Sequence, residues 1–295
     1  MKSSRRQFLK KSALLSASGI LAARWSRADE LPTGRKLKLR FAIASDLHYG
    51  QKNTPYQRMA DDLVGWINQE KQGRGLDMLF LNGDLTNDST QALLDLRDKH
   101  LSKLEMPYHT IKGNHDFVDG NPGSPTESWQ AIWGYPANHS ITLKDFAFVM
   151  ADTSAPHNAG TYLAADRKWL EAQLEQHANA PAVFALIHIP QRKYGVKGWP
   201  KHGVYAPDQV GGAEAVMDLL DSTPNLRGVF HGHNHHETGM WISGERRYFF
   251  DSHAGGSWGA AKGYRIVEID EEHRMVTYQV NAEQGGQLNR NLLPA

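Results

Sequence analysis

From Leu37 onward the chain alternates short apolar runs with segments whose apolar residues recur at helical spacing. Phe41-Ala42-Ile43-Ala44 reads as a buried strand that stops at Asp46. Met59, Leu63, Trp66 and Ile67 then recur at i, i+4 and i+7/i+8, one face of a helix. Residues 78–81 form the next apolar run, halted by Asn82-Gly83, and Ser89 is placed to cap a helix carrying Leu93, Leu96, Leu101 and Leu104. A third strand over 108–111 ends at Gly113. This βαβαβ succession predicts an α/β fold with a mainly parallel sheet covered by helices. Beyond it come a loop at 121–125, strands at 140–143 and 146–151, and a helix around Trp169, Leu170 and Leu174. The continuous apolar run 182–187 ends at His188 and reads as a central strand. Residues 193–212 show no period and are rich in Gly, Pro and aromatics, which fits either a lid or a long surface loop. Val216, Leu219 and Leu220 mark another helix, residues 226–230 a strand ending at His231, and 247–250, 264–269 and 275–279 the closing strands. No repeat or linker divides this body, so residues 37–295 are expected to form one domain.

Composition sharpens the picture. Forty per cent apolar residues support a substantial core, which excludes a disordered chain. The absence of Cys excludes disulfides, zinc ribbons, iron–sulfur clusters and thiol nucleophiles. The net charge of +1 is an average over two unlike parts. Residues 1–28 hold seven basic and no acidic side chains; without them 26 basic residues face 32 acidic ones, a net of −6, and all 15 His remain. Within that leader a basic segment precedes an apolar, small-residue stretch at 13–23, too short for the roughly 20 residues of a spanning helix. Ser26-Arg27-Ala28 offers a small-x-small cleavage site. The heptad Ser4-Arg5-Arg6-Gln7-Phe8-Leu9-Lys10 resembles the twin-arginine signal, which implies the twin-arginine export machinery as a partner and a periplasmic product. Residues 29–36 are read as a short linker, and no stable membrane anchor is expected. The acidic body argues against a long nucleic acid as ligand.

The informative feature is where polar residues fall. Five expected strands each end in potential ligands: Asp46-Leu47-His48, Asn82-Gly83-Asp84, Gly113-Asn114-His115-Asp116, His188, and Gly232-His233-Asn234-His235. The carboxyl ends of strands in open α/β sheets form the binding crevice, so clusters scattered in sequence are expected to converge. Imidazole, carboxylate and carboxamide without thiolate suit Zn, Fe or Mn. Their number exceeds the needs of one tetrahedral ion and fits two ions sharing a carboxylate.

These residues resemble the signature series of calcineurin-like metallophosphoesterases, over about residues 40–236. The resemblance implies a four-layer αββα sandwich and two divalent or trivalent metal ions. It places Asp46, His48 and His235 on the first ion and Asn114, His188 and His233 on the second, with Asp84 bridging. His115 takes the catalytic place beside the leaving group, with Asp116 as the residue orienting it or, alternatively, as a structural cap. The implied reaction is attack of a metal-bridging hydroxide on a small phosphoester. Asn87 stands where purple acid phosphatases carry a Tyr ligand, so an iron–tyrosinate centre is not expected. Gly83-Asp84-Leu85-Thr86-Asn87 and His188-Ile189-Pro190 are similar to cyclic-nucleotide and glycerophosphodiester phosphodiesterases, although those commonly have Asp at position 87.

Other functional readings compete. A phosphomonoesterase or nucleotidase is the alternative on the same fold. A non-catalytic metal-binding scaffold would show missing ligands, and a metal-storage protein would show surface His runs. A di-zinc lactamase-type hydrolase would need His-x-His-x-Asp-His, which is absent. His231, His236 and His253 are expected to serve as structural hydrogen-bonding residues. Residues 252–258 read as a flexible turn bordering the pocket, and Tyr194, Trp199, Tyr205 and Trp258 are either packing anchors or stacking surfaces.

Overall fold

The computed structural model describes residues 36–87, 90–116, 125–155, 160–191 and 212–295. The leader 1–28, the linker up to Arg35, the capping Ser89, and Tyr194, Trp199 and Tyr205 with most of the 193–212 segment lie outside them. In chain order the first half runs β1 (Leu37–Ser45), α1 (Tyr56–Arg74), β2 (Met78–Asn82), α2 (Thr90–Lys99), β3 (Tyr108–Ile111), α3 (Pro125–Trp133), β4 (His139–Leu143) and β5 (Phe146–Ala151). The second half runs α4 (Arg167–Gln176), β6 (Val183–Ile187), α5 (Gly212–Ser222), β7 (Leu226–His231), β8 (Met240–Ser243), β9 (Arg246–Phe250), β10 (Ser252–His253), β11 (Gly263–Asp270), β12 (Met275–Asn281) and β13 (Gln287–Leu293).

The strands form two sheets, one ordered β13-β12-β11-β1-β2-β3 with β10 beside β1, the other β4-β5-β6-β7-β9-β8. Side chains alternate across each strand. Leu39, Phe41 and Ile43 of β1 and Met78 and Phe80 of β2 therefore point between the sheets, where they meet Phe148, Phe184, Leu186, Phe230 and Phe249. Phe41 lies 5.6 Å from Phe80 and 5.1 Å from Phe148, both edge-on, the geometry aromatic quadrupoles favour. The intervening residues Ala42, Ala44, Leu79 and Leu81 face a second apolar layer with Leu63 and Ile67 of α1 and Leu93 and Leu96 of α2. Val183, Ala185 and Ile187 of β6 pack likewise on Leu170, Leu174, Val216 and Leu220 of α4 and α5. The layers are thus helix, sheet, sheet, helix. No helix among the described residues is long and apolar enough to cross a membrane.

Several boundaries differ from the sequence reading. Leu101 and Leu104 do not continue α2: it ends at Lys99, and Leu101–Lys103 forms a separate tight turn after His100 leaves helical geometry. Pro125 opens α3 rather than closing a loop, which suits a residue whose missing N–H costs nothing in a first turn. Ser252–His253 is a paired strand rather than a flexible turn, aligned parallel with Ala44 and Ser45. β8 and β13 were not anticipated. β8 is four residues closed on β9 through a turn with Gly244 at φ +55°, and β13 is a largely polar edge strand.

Candidate metal centre at the strand ends

Strands β1, β2 and β3 run parallel in one sheet, and β5, β6, β7 and β9 in the other. Their carboxyl ends meet at one edge of the sandwich. The loop after β1 is tied to that after β2 by Asp46 N–H to Gly83 O (2.9 Å) and His48 N–H to Asp84 O (3.0 Å). Within the second sheet Gly232 N–H donates to His188 O (3.1 Å), and across the sheets His233 N–H donates to both carboxylate oxygens of Asp46 (3.0 Å each). His115 N–H donates to Asp84 Oδ1 at 2.8 Å, which brings the loop after β3, with the buried Asn114, to the same place.

The backbone is bent sharply to achieve this. Asp46, His48, Asp84 and His233 all adopt left-handed φ, between 49° and 67°. That conformation costs an L-residue about 1–2 kcal/mol, and Asp and His tolerate it better than most. Glycine is required beside them: a Cβ on Gly83 would sit 2.3 Å from His188 Nδ1, and one on Gly113 would sit 2.1 Å from Asp84 N.

Two adjoining groups of donors result, and a third, His48, Asp84 and His115, overlaps both. Asp46, His48 and His235 offer ligand atoms within 4.8 Å of one another, and so do Asp84, His188 and His233. His235 Nε2 lies 3.1 Å from Asp46 Oδ1 and 3.2 Å from His48 Nε2. His188 Nε2 lies 3.2 Å from Asp84 Oδ2 and 3.9 Å from Asp46 Oδ1, so the two groups adjoin. The far nitrogens set the ring orientations. His188 Nδ1 donates to Asn82 O (2.6 Å) and His235 Nδ1 to Trp258 O (3.2 Å), which turns each Nε2 toward the carboxylates. Burial holds the His48 and His233 imidazoles down at about 4, further lowered at His233 by His188, which favours the neutral ring at both. Burial opposes charge on Asp46 and Asp84 too, yet the neighbouring His235 and His188 hold both carboxyls below their usual range. For the same reason His188 is pushed up to about 10 by Asp84 and Asp46 against the effect of burial.

A model of the calcineurin-like phosphoesterase family matches residues 39–237, two thirds of the sequence and every residue of both donor groups. The chain belongs to this family. It is 27% identical over 170 residues to a probable glycerophosphodiester phosphodiesterase of Arcobacter nitrofigilis, covering 56% of this chain and 59% of that one. It is 23% identical over 163 residues to a 3′,5′-cyclic-nucleotide phosphodiesterase of Nostoc, covering 55% and 57%. The match therefore spans under two thirds of either relative. The fold superposes on a dimetal phosphatase of Danio rerio with a TM-score of 0.62 at 14% identity, over 88% of this chain and 99% of that one.

The donor set of this calcineurin-like phosphoesterase fits a pair of cations. His48 Nε2 and His235 Nε2 point at each other at 3.2 Å, and His233 Nε2 is buried with no hydrogen-bond partner. Buried nitrogens so placed are costly unless something shares their lone pairs. The half-buried His115 ring lies 5.0 Å from that of His48.

Asp116 is engaged elsewhere. Its carboxylate accepts from the backbone N–H of Gly113 (2.9 Å), Leu85 (3.1 Å) and Thr86 (2.8 Å) and from the Thr86 hydroxyl (3.2 Å). These contacts tie the loops after β2 and β3 together in a capping arrangement. His231 donates to Ile187 O (2.6 Å) and stacks on Trp241, while His236 is exposed. His253 stacks on His235 at 4.8 Å. The sequence reading missed Asp251, a buried carboxyl raised to about 7 by burial, whose Oδ2 accepts from Asn82 Nδ2 at 2.7 Å behind His188. It comes directly after β9, a parallel strand, so the strand-end rule applied once more would have found it. Tyr162, edge-on to His233 at 4.7 Å, carried no sequence signal.

Proposed function

We propose that this phosphoesterase hydrolyses small phosphodiesters at a two-cation centre after export. Asp46, His48 and His235 would hold one ion, Asn114, His188 and His233 the other, with Asp84 between them. The observation that carries this reading is the pair of adjoining donor groups, joined by the approach of His188 to both carboxylates. Two bound cations supply positive charge that acidifies a water and offsets the charge growing on phosphoryl oxygens. Manganese, iron and zinc all suit the donors.

The chain's own groups do the rest. The backbone ties of His233 to Asp46 and of His115 to Asp84 fix both carboxylates, so the anions need not reorganise during reaction. His115, half-buried like His233 and 5.0 Å from the His48 ring, is placed to give a proton to the departing oxygen. Diester preference is supported by the names of both relatives, and monoester hydrolysis is the alternative. The Ser4–Lys10 heptad supports twin-arginine export to the periplasm; normal export of an Arg5→Lys/Arg6→Lys double variant would overturn that part.

The test is turnover of bis(p-nitrophenyl) phosphate against p-nitrophenyl phosphate. The diester should have the higher kcat/KM; the reverse order would establish a monoesterase. His115→Ala should lose turnover by ~10²–10⁴-fold with metal content kept, whereas Asp84→Ala should lose both. Equal metal loss in the two variants would refute the assigned roles.

A further inference from the structure

The segment after β10 lies beyond the residues matched by the family model, yet it reaches the centre. Ala254 N–H donates to Ser45 O (2.8 Å) and Gly255 N–H to Asp46 O (3.0 Å), while Ala260 N–H donates to His235 O (2.8 Å). Between these ties, His253 spans the segment: Nδ1 lies 2.7 Å from Gly255 O and Nε2 2.7 Å from Ala260 O. A Cβ on Gly255 would fall 2.0 Å from Leu47 O, and one on Gly259 2.5 Å from His235 Cβ, so the segment sits directly on the loops that carry the donors.

Held on this clamp is Trp258. Its indole lies flat on the His235 imidazole, 4.6 Å between centroids and 4° from parallel, and 5.1 Å from His48, which in turn is 5.0 Å from His115. Trp258 nevertheless remains 43% exposed. A single exposed apolar residue is ordinary. An exposed indole tied at both ends and set one ring away from the candidate catalytic histidine is a surface of fixed position. Such a ring offers stacking to any flat group, with little ordering left to be lost on binding.

We propose that Trp258 is a specificity-determining platform that selects phosphoesters bearing a flat aromatic substituent, aryl or nucleobase, over those bearing only glycerol or alkyl groups. This rests on the phosphodiesterase reading for its catalytic consequence, and on the stacking geometry alone for binding.

The test uses the full, manganese-loaded chain and two ligands with the same phosphate group, adenosine 5′-monophosphate and glycerol 3-phosphate, titrated by calorimetry. Stacking of one base predicts that the adenosine ester binds about 5–150-fold more tightly. Trp258→Ala should bring that ratio close to one, and Trp258→Phe should restore most of it. The kcat/KM ratio of bis(p-nitrophenyl) phosphate to glycerophosphoethanolamine should fall in Trp258→Ala by a similar factor. A wild-type binding ratio near one, or a Trp258→Ala variant that weakens both ligands equally, would overturn the platform. Should the binding ratio hold while the wild type hydrolyses no diester, the platform stands and the phosphodiesterase reading falls.

Discussion

Gly113→Ala is the substitution for which the geometry makes the sharpest demand. The added Cβ would lie 2.1 Å from Asp84 N and 2.3 Å from Asp84 Oδ1. Ordinary contact with carbon begins near ~3.5 Å, so the loops after β2 and β3 must separate by roughly 1 Å or more. That movement strains hydrogen bonds that join the two loops, His115 N–H to Asp84 Oδ1 (2.8 Å) and the buried Thr86 N–H to Asp116 Oδ1 (2.8 Å). Overpacking costs about 1–3 kcal/mol and loss of a buried partner adds about as much, for a total of ~2–6 kcal/mol. For a domain of this size that is a fall in Tm of roughly 4–24 °C. A displacement near 1 Å at reacting groups costs about 10²-fold in rate. The assays are thermal unfolding, bound metal after gel filtration, and kcat/KM on bis(p-nitrophenyl) phosphate. Gly65→Ala is the control: it lies in α1 at negative φ, with nothing within 4 Å of an added Cβ. That variant should gain up to ~1 kcal/mol with metal content unaltered. A Gly113→Ala protein with wild-type Tm and turnover would refute the close approach of the two loops.

Two further predictions concern stability. Arg40 sits between buried carboxylates, 2.7 Å from Glu70 and 3.0 Å from Glu268; Arg40→Leu leaves Glu70 without a cation among the described residues, while Glu268 keeps Arg74 at 2.9 Å, and should cost ~3–5 kcal/mol in urea unfolding. An unshifted urea midpoint would contradict it. Burial holds His139 down at about 4, below its ordinary value of 6.5, so the folded state requires the neutral ring. That stability is fully present above pH 6.5 and is lost as pH falls toward 4, amounting to about 2–3 kcal/mol by pH 4.5. His139→Phe should lose correspondingly less between pH 7.5 and 4.5, and identical losses would show that another group controls the acid sensitivity.

Much of the fold was legible because its strands are short, apolar and stopped by polar residues. The runs at 41–44, 78–81 and 182–187 become β1, β2 and β6, and the βαβαβ order became parallel pairing of β1, β2 and β3. The site was legible for the same reason: in a parallel sheet, the residues just past each strand gather at one edge. The illegible parts depend on tertiary partners. β13 presents mostly polar side chains at an edge, and β10 gains its extended form only from Ala44 and Ser45 of β1. Nor does the sequence show which acceptor an aspartate finds. Asp46, Asp84 and Asp116 look alike in a motif, yet the third is consumed by the backbone N–H groups of Gly113, Leu85 and Thr86. The left-handed turns at Asp46, His48, Asp84 and His233 carry no reliable sequence mark, and they put the donors face to face.

The central claim is that two adjoining donor groups hold two cations which act together on a phosphodiester. Chelated protein should be titrated with Mn²⁺ while bound metal and bis(p-nitrophenyl) phosphate turnover are followed in the same samples. The account predicts turnover that rises only as occupancy approaches two ions per chain and is absent from Asp84→Ala. Full turnover at one ion per chain, or none with Mn²⁺, Zn²⁺ or Fe²⁺ at saturating occupancy, would contradict it.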